Sequence, residues 1–227
     1  MTRLILPIIA VALLSAFGCE TRKASPDSTA TKIATTTSAP SLTTMERVRK
    51  IVPEQMREEL IQFIQSPDRD RYLAFRAKLV ASDVYEPYSD EIETAYELCD
   101  QQKLEDARNT IQNAMGNLIL SPSAHNLLGF LHHKLGDEQA AQMEMMISHA
   151  CIEGILATGE GSASNPYIVA RTSDEYDVLE YLGKQLEQQS LVHKDDKHLD
   201  LIQCTDGSDY WFDITDAYNQ LSKSSSK

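Results

Sequence analysis

LEDA at residues 104–107 and EQAA at residues 138–141 are two copies of one short pattern, and their spacing decides the fold. Ala107 and Ala141 stand 34 positions apart. A fixed period of this length is typical of stacked helical hairpins. Small side chains at matched positions let two antiparallel helices approach closely, so an internal helical repeat is predicted over residues 89–155.

The repeat resembles the tetratricopeptide family, whose period is about 34 residues. The second unit matches the family's L-G pair at Leu128-Gly129, its turn at Gly136-Asp137 and its A-x3-F spacing at Ala141 and Met145. In the first unit, Ala95, Ala107 and Ile111 hold the equivalent small and large positions. The aromatic positions depart from the family, since they hold Glu91, Leu98, His125 and His132. The alternative interpretation is a generic pair of helical hairpins.

Two units are evident, whereas about three are needed for independent stability. Apolar residues within residues 44–80 recur at three- and four-residue steps, and Ser66-Pro67-Asp68 interrupts them. This pattern predicts two further helices that complete the stack. The helical part is therefore expected to occupy residues 44–155.

Residues 156–215 change character from helical to mixed. A turn-rich stretch precedes the β-rich Tyr167-Ile168-Val169-Ala170, and Thr172 with Glu175 predicts a capping box that opens one helix. Alternating segments then follow, with a turn signal at Asp206-Gly207. We expect a small antiparallel sheet with one helix, an α+β fold overall, and a flexible tail over residues 216–227.

The order of these elements resembles a bacterial family called domain of unknown function 4919. The resemblance runs from GEGSASNPYIVARTSDEYDVLEYLG at residues 159–183 to DYWFDIT at residues 209–215. It also takes in the helical part from about residue 70. That family has no assigned activity, so the resemblance implies an architecture and no mechanism.

LILPIIAVALLSAFGC at residues 4–19 resembles a bacterial lipoprotein signal. Arg3 supplies the positive start, an apolar run follows, and small Gly18 directly precedes Cys19. The resemblance implies that residues 1–18 are removed and that Cys19 is lipidated. One alternative is an uncleaved membrane anchor, although the apolar run is shorter than the roughly 20 residues that span a bilayer. The other is an apolar strand of a soluble protein.

The residues after Cys19 predict where the protein is placed. Glu20 rather than Asp follows the cysteine, so the resemblance implies the outer membrane, facing the periplasm, within the bacterial cell envelope. Residues 19–43 are rich in Ser, Thr and Ala, and we expect them to form a disordered tether that lets the folded part stand off the membrane.

The formal net charge of −13, from 34 acidic and 21 basic residues, argues against nucleic acid as a partner because phosphate backbones would be repelled. Three cysteines besides Cys19 are widely spaced: Cys99, Cys151 and Cys204. They show no zinc pattern. One disulfide would be compatible with an oxidising compartment, but buried free thiols are the preferred interpretation.

No catalytic constellation is recognisable. Gly159-x-Gly161 lacks the third glycine of a dinucleotide loop and precedes a strand. His132 and His133 point to different sides of a helix, so neither they nor His149 predict a metal site. The acidic string from Asp195 to Asp213 does not fit a calcium loop and is expected to be a solvated face. We expect no catalytic residue, cofactor or metal.

The candidate site is the inner groove of the repeats, because repeat helices present an extended concave face to partners. By resemblance, the first helix of each unit lines it, which gives Tyr96, Asn126, Phe130 and His133 as candidate binding residues. The alternative is that the C-terminal α+β unit, or the helices of residues 44–80, fills the groove.

The function expected is a membrane-tethered adaptor that binds an envelope protein or peptide. Two alternatives stay open: an envelope enzyme that uses carboxylates of the C-terminal sheet, such as Asp200 or Asp213, and an acidic inhibitory or structural lipoprotein.

Overall fold

A computed structural model describes residues 54–224 of the chain. The predicted signal, Cys19 and the tether lie outside these residues. So do the first ten residues of the predicted helical part.

Two helices precede the repeat, as the periodicity predicts. Helix α1 spans Glu54–Gln65 and helix α2 spans Arg69–Val80. The break between them is at the predicted Ser66–Asp68, where the Asp68 carboxylate accepts the N–H of Arg71 at 3.0 Å and caps α2.

The repeat forms two packed pairs of helices. Helix α3 spans Glu91–Asp100, α4 Leu104–Asn113, the short α5 Met115–Leu118, α6 Pro122–Lys134 and α7 Glu138–Leu156. The small residues predicted to allow close approach, Ala107 and Ala141, are both buried. Pro122 starts α6 at the first helical position, where a missing N–H costs nothing.

Helix α7 also packs against the first two helices. Gly154 lies where α7 meets α1 and α2, and a Cβ there would stand 2.6 Å from the ring of Tyr72 and 2.7 Å from that of Phe63. Only a glycine lets these rings, both fully buried, lie against the helix backbone. Helices α1 and α2 therefore do join the stack.

The C-terminal part contains a four-stranded sheet in the order β1-β4-β3-β2. Its elements are β1 Tyr167–Ile168, helix α8 Asp174–Tyr181, β2 Leu186–Lys194, β3 Lys197–Cys204 and β4 Asp209–Asp213. Both β2–β3 and β3–β4 are antiparallel. The prediction of a wholly antiparallel sheet was wrong in one respect, because β1 pairs with β4 in parallel. The α+β fold class is confirmed.

A last helix, α9, spans Thr215–Ser224, where the sequence suggested a tail. Ala217 is fully buried, and Asp216 pairs with Arg76 of α2 at 2.8 Å. Tertiary contacts thus hold a segment whose local sequence carries no strong helical signal.

One hydrophobic core unites the helices and the sheet. Polar contacts reinforce the junction: the Tyr85 hydroxyl donates to the carbonyl of Ala170 at 2.6 Å, and Arg76 Nε donates to that of Val169 at 2.9 Å. Cys99, Cys151 and Cys204 are free thiols, and the last two are buried, as the preferred interpretation predicted. Residues 54–224 contain no helix that combines the length and apolar character needed to cross a bilayer.

Candidate functional site

The four predicted binding residues lie on exposed faces of α3 and α6. Tyr96 is 50% exposed and Phe130 is 37% exposed. Asn126 and His133 are exposed as well. On the same helices, Ala95, Leu127, Leu128 and Leu131 are buried, so the apolar faces that build the core are distinct from the face carrying these four residues.

Helix α8 covers the start of α6. Asp177 of α8 accepts the backbone N–H of Ser123 at 3.1 Å and also the Ser123 hydroxyl. Burial raises the pKa of the Tyr96 phenol, and the charges of Asp177 and Glu180 raise it further, so Tyr96 lies beside the same helix. The alternative in which the chain itself enters the groove is therefore right for the Ser123 end, whereas Tyr96 and Phe130 keep exposed surface.

The Phe130 end of α6 has a mixed polar and aromatic surface. The ammonium of Lys134 lies 5.4 Å from the centre of the Phe130 ring, which is within range of a cation–π contact. His133 Nδ1 lies 2.7 Å from Glu138 Oε1, and both side chains are largely exposed. We use the name groove face for four exposed residues, Tyr96 on α3 and Asn126, Phe130 and His133 on α6.

A pair of carboxyl groups is buried where α8 meets the sheet. Gln189 Nε2 donates to Glu175 Oε2 at 3.1 Å and to Asp200 Oδ2 at 2.8 Å. The Tyr176 hydroxyl donates to Gln189 Oε1 at 2.6 Å. Burial raises the pKa of Glu175 well above its ordinary value, and the charges of Asp200 and Asp174 with a hydrogen bond to Asp200 raise it further. All of these causes favour the protonated form of Glu175.

Two more carboxyl groups lie at the start of α8. Asp174 is fully buried, and its Oδ2 accepts the N–H of Arg171 at 2.9 Å. Burial and the charge of Asp177 raise the pKa of Asp174 to about 7. Burial raises that of Asp177 to about 6, against the hydrogen bonds from Ser123. This end of α8 therefore gains protons near neutral pH.

These carboxyl groups tie elements together. Glu175 is 0% exposed and Asp200 is 6% exposed. Asp213 binds Lys197 Nζ at 2.9 Å and the Thr215 hydroxyl at 2.6 Å. The prediction of a solvated acidic face was wrong for Asp200 and Asp213, which are buried because their partners compensate the cost of burying a carboxylate.

The histidines of the repeat have different surroundings. His125, at a position that the tetratricopeptide pattern gives to an aromatic residue, is buried with Nδ1 2.7 Å from Glu144 Oε2 and Nε2 3.0 Å from the Ile119 carbonyl. His132 is buried and His133 is exposed, as adjacent positions on a helix require. Within residues 54–224, no set of three or more His, Cys, Asp or Glu side chains could hold a metal ion.

The predicted glycine loop is a turn fixed by its own backbone. A Cβ on Gly159 would lie 2.3 Å from the carbonyl oxygen of Pro166, so only glycine fits. The loop folds back on itself and leads into β1, which agrees with the interpretation that it does not bind phosphate.

Sequence reasoning missed the carboxyl cluster at α8. Thr172 and Glu175 have the spacing of a capping box, but α8 begins at Asp174 and the Glu175 side chain turns into the junction with the sheet. A sequence signal for the cluster was present. Three acidic residues, Asp174, Glu175 and Asp177, lie in a short predicted helix beside the apolar Val178 and Leu179. A helix this short and acidic packs in a core only with protonated or paired carboxyls.

Comparison with protein families gives one match over residues 73–223, to a family described as Domain of unknown function (DUF4919). The match covers about two thirds of the chain and spans both the helices from α2 and the sheet. A search of curated proteins and a search of solved structures each found no match.

Proposed function

The chain belongs to the family Domain of unknown function (DUF4919), and we propose that it is a lipid-anchored protein of the bacterial cell envelope that binds another protein or peptide through its groove face. The signal-like residues 4–19 support the anchor on Cys19, in the outer membrane facing the periplasm. In this proposal the protein acts by binding and not by catalysis.

The observation that carries the proposal is the exposure of two aromatic rings on helices that are otherwise well packed. Tyr96 and Phe130 keep 50% and 37% of their surface exposed. Aromatic residues are enriched where proteins bind one another, because they bury large areas at low conformational cost. Their tetratricopeptide-like position on the first helix of each hairpin supports the same assignment.

The surroundings of Tyr96 favour a partner that carries positive charge beside an apolar side chain. Glu93, Glu97 and Asp100 are exposed on α3, and Asp177 and Glu180 act on the Tyr96 phenol from α8. Acidic side chains around an aromatic ring attract lysine or arginine of a partner and speed association at low salt.

Cys19→Ser is expected to move the protein from the membrane fraction to the soluble fraction, because it removes the thiol that carries the lipid. Fractionation of cells, with incorporation of labelled palmitate, measures this change. Cys99→Ser is the matched control, since it removes a different thiol and should leave the protein with membranes. Persistence of Cys19→Ser in the membrane fraction would show that another segment anchors the chain.

Tyr96→Ala with Phe130→Ala is expected to weaken partner binding about tenfold or more, because hot-spot aromatics each contribute upwards of ~1 kcal/mol. The measurement is photo-crosslinking in cells from a probe at Asn126, followed by titration of the crosslinked partner on purified protein. Both side chains are exposed, so folding should survive, as circular dichroism can check.

The matched control replaces two large apolar residues that are exposed on β2, Leu186→Ala with Leu191→Ala. This control should retain full affinity. Equal affinity of the groove-face variant and the control would contradict the proposal. Such equal affinity, together with a steep loss of binding by unchanged protein between about 0.1 and 0.5 M salt, would favour the acidic inhibitory alternative, since exposed charges are screened over that range.

A further inference from the structure

Two histidines face each other near the end of the β2–β3 hairpin. His193 and His198 are register partners, one pair before the turn at Asp195 and Asp196. The backbone of His198 is bonded on its other side: its N–H donates to Thr215 Oγ1 at 3.1 Å, and its carbonyl accepts the N–H of Ile214 at 3.0 Å. The histidines therefore occupy a non-hydrogen-bonded pair, in which opposite side chains lie closest.

The imidazole rings are close and one of them is held in place. Their centroids lie 4.7 Å apart with the planes inclined by 48°. The ring of Tyr218, on α9, stacks on His198 at 3.8 Å. Nδ1 of His198 is buried and has no hydrogen-bond partner. A buried ring nitrogen without a partner requires an explanation, because burying a polar atom unpaired costs free energy.

We propose that His193 and His198 together bind one divalent transition-metal ion, Zn²⁺ or Cu²⁺, through a ring nitrogen of each. Imidazole nitrogens bond these ions at about 2.1 Å, which places the centroids of two rings sharing one ion roughly 4.5–5.5 Å apart. The observed 4.7 Å lies in that interval. Water completes the coordination, and Cu²⁺ binds more tightly than Zn²⁺ by the general order for nitrogen ligands.

The charges around the pair do not oppose a cation strongly. Lys194 and Lys197 adjoin the histidines, but Asp195 and Asp196 in the turn offset them. Lys197 is also engaged by Asp213 at 2.9 Å. The ammonium of Lys197 is therefore partly neutralised by a carboxylate.

Titration calorimetry of the full chain without an affinity tag, with ZnCl₂ or CuSO₄, tests the site. We expect one ion per chain. His193→Asn is expected to weaken binding at least about tenfold. Loss of a residue that supports a metal ligand weakens binding about tenfold or more, and loss of the ligand itself costs no less. His193 is exposed, so this variant should fold. His149→Asn is the matched control, because His149 is exposed and lies 3.4 Å from Glu153 on another element.

Electron paramagnetic resonance of the Cu²⁺ complex gives a second readout. Two coupled nitrogens in the unchanged chain and one in His193→Asn would support the pair as ligands. Equal affinity of His193→Asn and the unchanged chain would overturn the proposal. So would a spectrum with a single nitrogen, or a loss of binding in His149→Asn as large as that in His193→Asn.

Discussion

The free energy of unfolding is expected to fall by several kcal/mol as the pH rises from about 5 to 8. Burial raises the pKa of Asp174 to about 7, that of Asp177 to about 6 and that of Glu175 well above its ordinary value. A carboxyl group whose pKa is higher in the folded than in the unfolded chain stabilises the fold fully below its unfolded pKa. That contribution is lost as the pH rises through the folded pKa.

Asp174 alone accounts for much of this change. Its pKa rises from 3.8 to about 7, and at ~1.4 kcal/mol per unit the part of this shift above pH 5 is worth on the order of 3 kcal/mol. Below about pH 4 the trend reverses, and stability falls as the pH falls. Hydrogen bonds with Lys184 and Ser208 hold the pKa of Asp206 low. Hydrogen bonds with Thr215 and Lys197 hold the pKa of Asp213 low. Stability should therefore be greatest in mildly acidic solution.

Denaturant unfolding at several pH values, with Asp174→Asn beside the unchanged protein, measures the effect. The asparagine keeps an oxygen to accept the N–H of Arg171 and carries no charge, so the variant should be more stable at pH 8 and its stability should depend less on pH. Asp209→Asn, at an exposed carboxylate on β4, is the control and should keep the original slope. Identical slopes for Asp174→Asn and the unchanged protein would contradict the explanation.

Arg171→Met is expected to destabilise the protein by about 2–4 kcal/mol, because it removes buried hydrogen bonds from a charged donor that contribute ~1.5–3 kcal/mol each. Arg171 is 3% exposed. Its guanidinium donates to the carbonyl of Glu86 at 2.9 Å, and to the carbonyl and hydroxyl of Ser89 at 3.0 and 3.1 Å. Methionine fills the volume but leaves the Ser89 carbonyl without this donor, whereas Asn117 Nδ2 still donates to the Glu86 carbonyl at 3.0 Å and to the Ser89 hydroxyl at 2.9 Å. It also removes the positive charge that favours the ionised form of Asp174.

The control for this prediction is Arg71→Met, which removes an exposed guanidinium paired with Asp68 and should cost less than about 1 kcal/mol. Arg171→Lys should recover little, because an ammonium cannot replace the forked donors of arginine. Denaturant unfolding at about pH 6 compares the variants. This pH lies above the ordinary pKa of a carboxyl group and below the raised pKa of Asp174. Equal losses for Arg171→Met and Arg71→Met would show that the Glu86–Ser89 contacts contribute little.

The helical part was predictable because its signals are local. Proline and aspartate at Ser66–Asp68 predict the break between two helices. Small residues at a fixed period predict the repeat. The turn signal at Asp206-Gly207 was equally local, and Gly207 adopts the positive φ that such a turn requires.

The unpredicted features depend on residues distant in sequence. Helix α9 is held by Asp216 pairing with Arg76, which is 140 positions away. The parallel pairing of β1 with β4 involves only two residues of β1, too few to produce a pattern. For the groove face, sequence reasoning named residues that are exposed and gave coverage by the C-terminal α+β unit as an alternative. It did not name the residues in contact, because the contact between Asp177 and Ser123 has no local signal.

Helix α7 has a consequence for how such a protein can change during evolution. One side of it meets α6, another meets the rings of Phe63 and Tyr72 at Gly154, and its end leads to the sheet. A recombination that exchanged only the helices or only the sheet would leave one of these surfaces without its partner. Inheritance of the whole unit is favoured, and variation in length is best accommodated at exposed turns such as Asp195–Asp196, far from α7 in the chain.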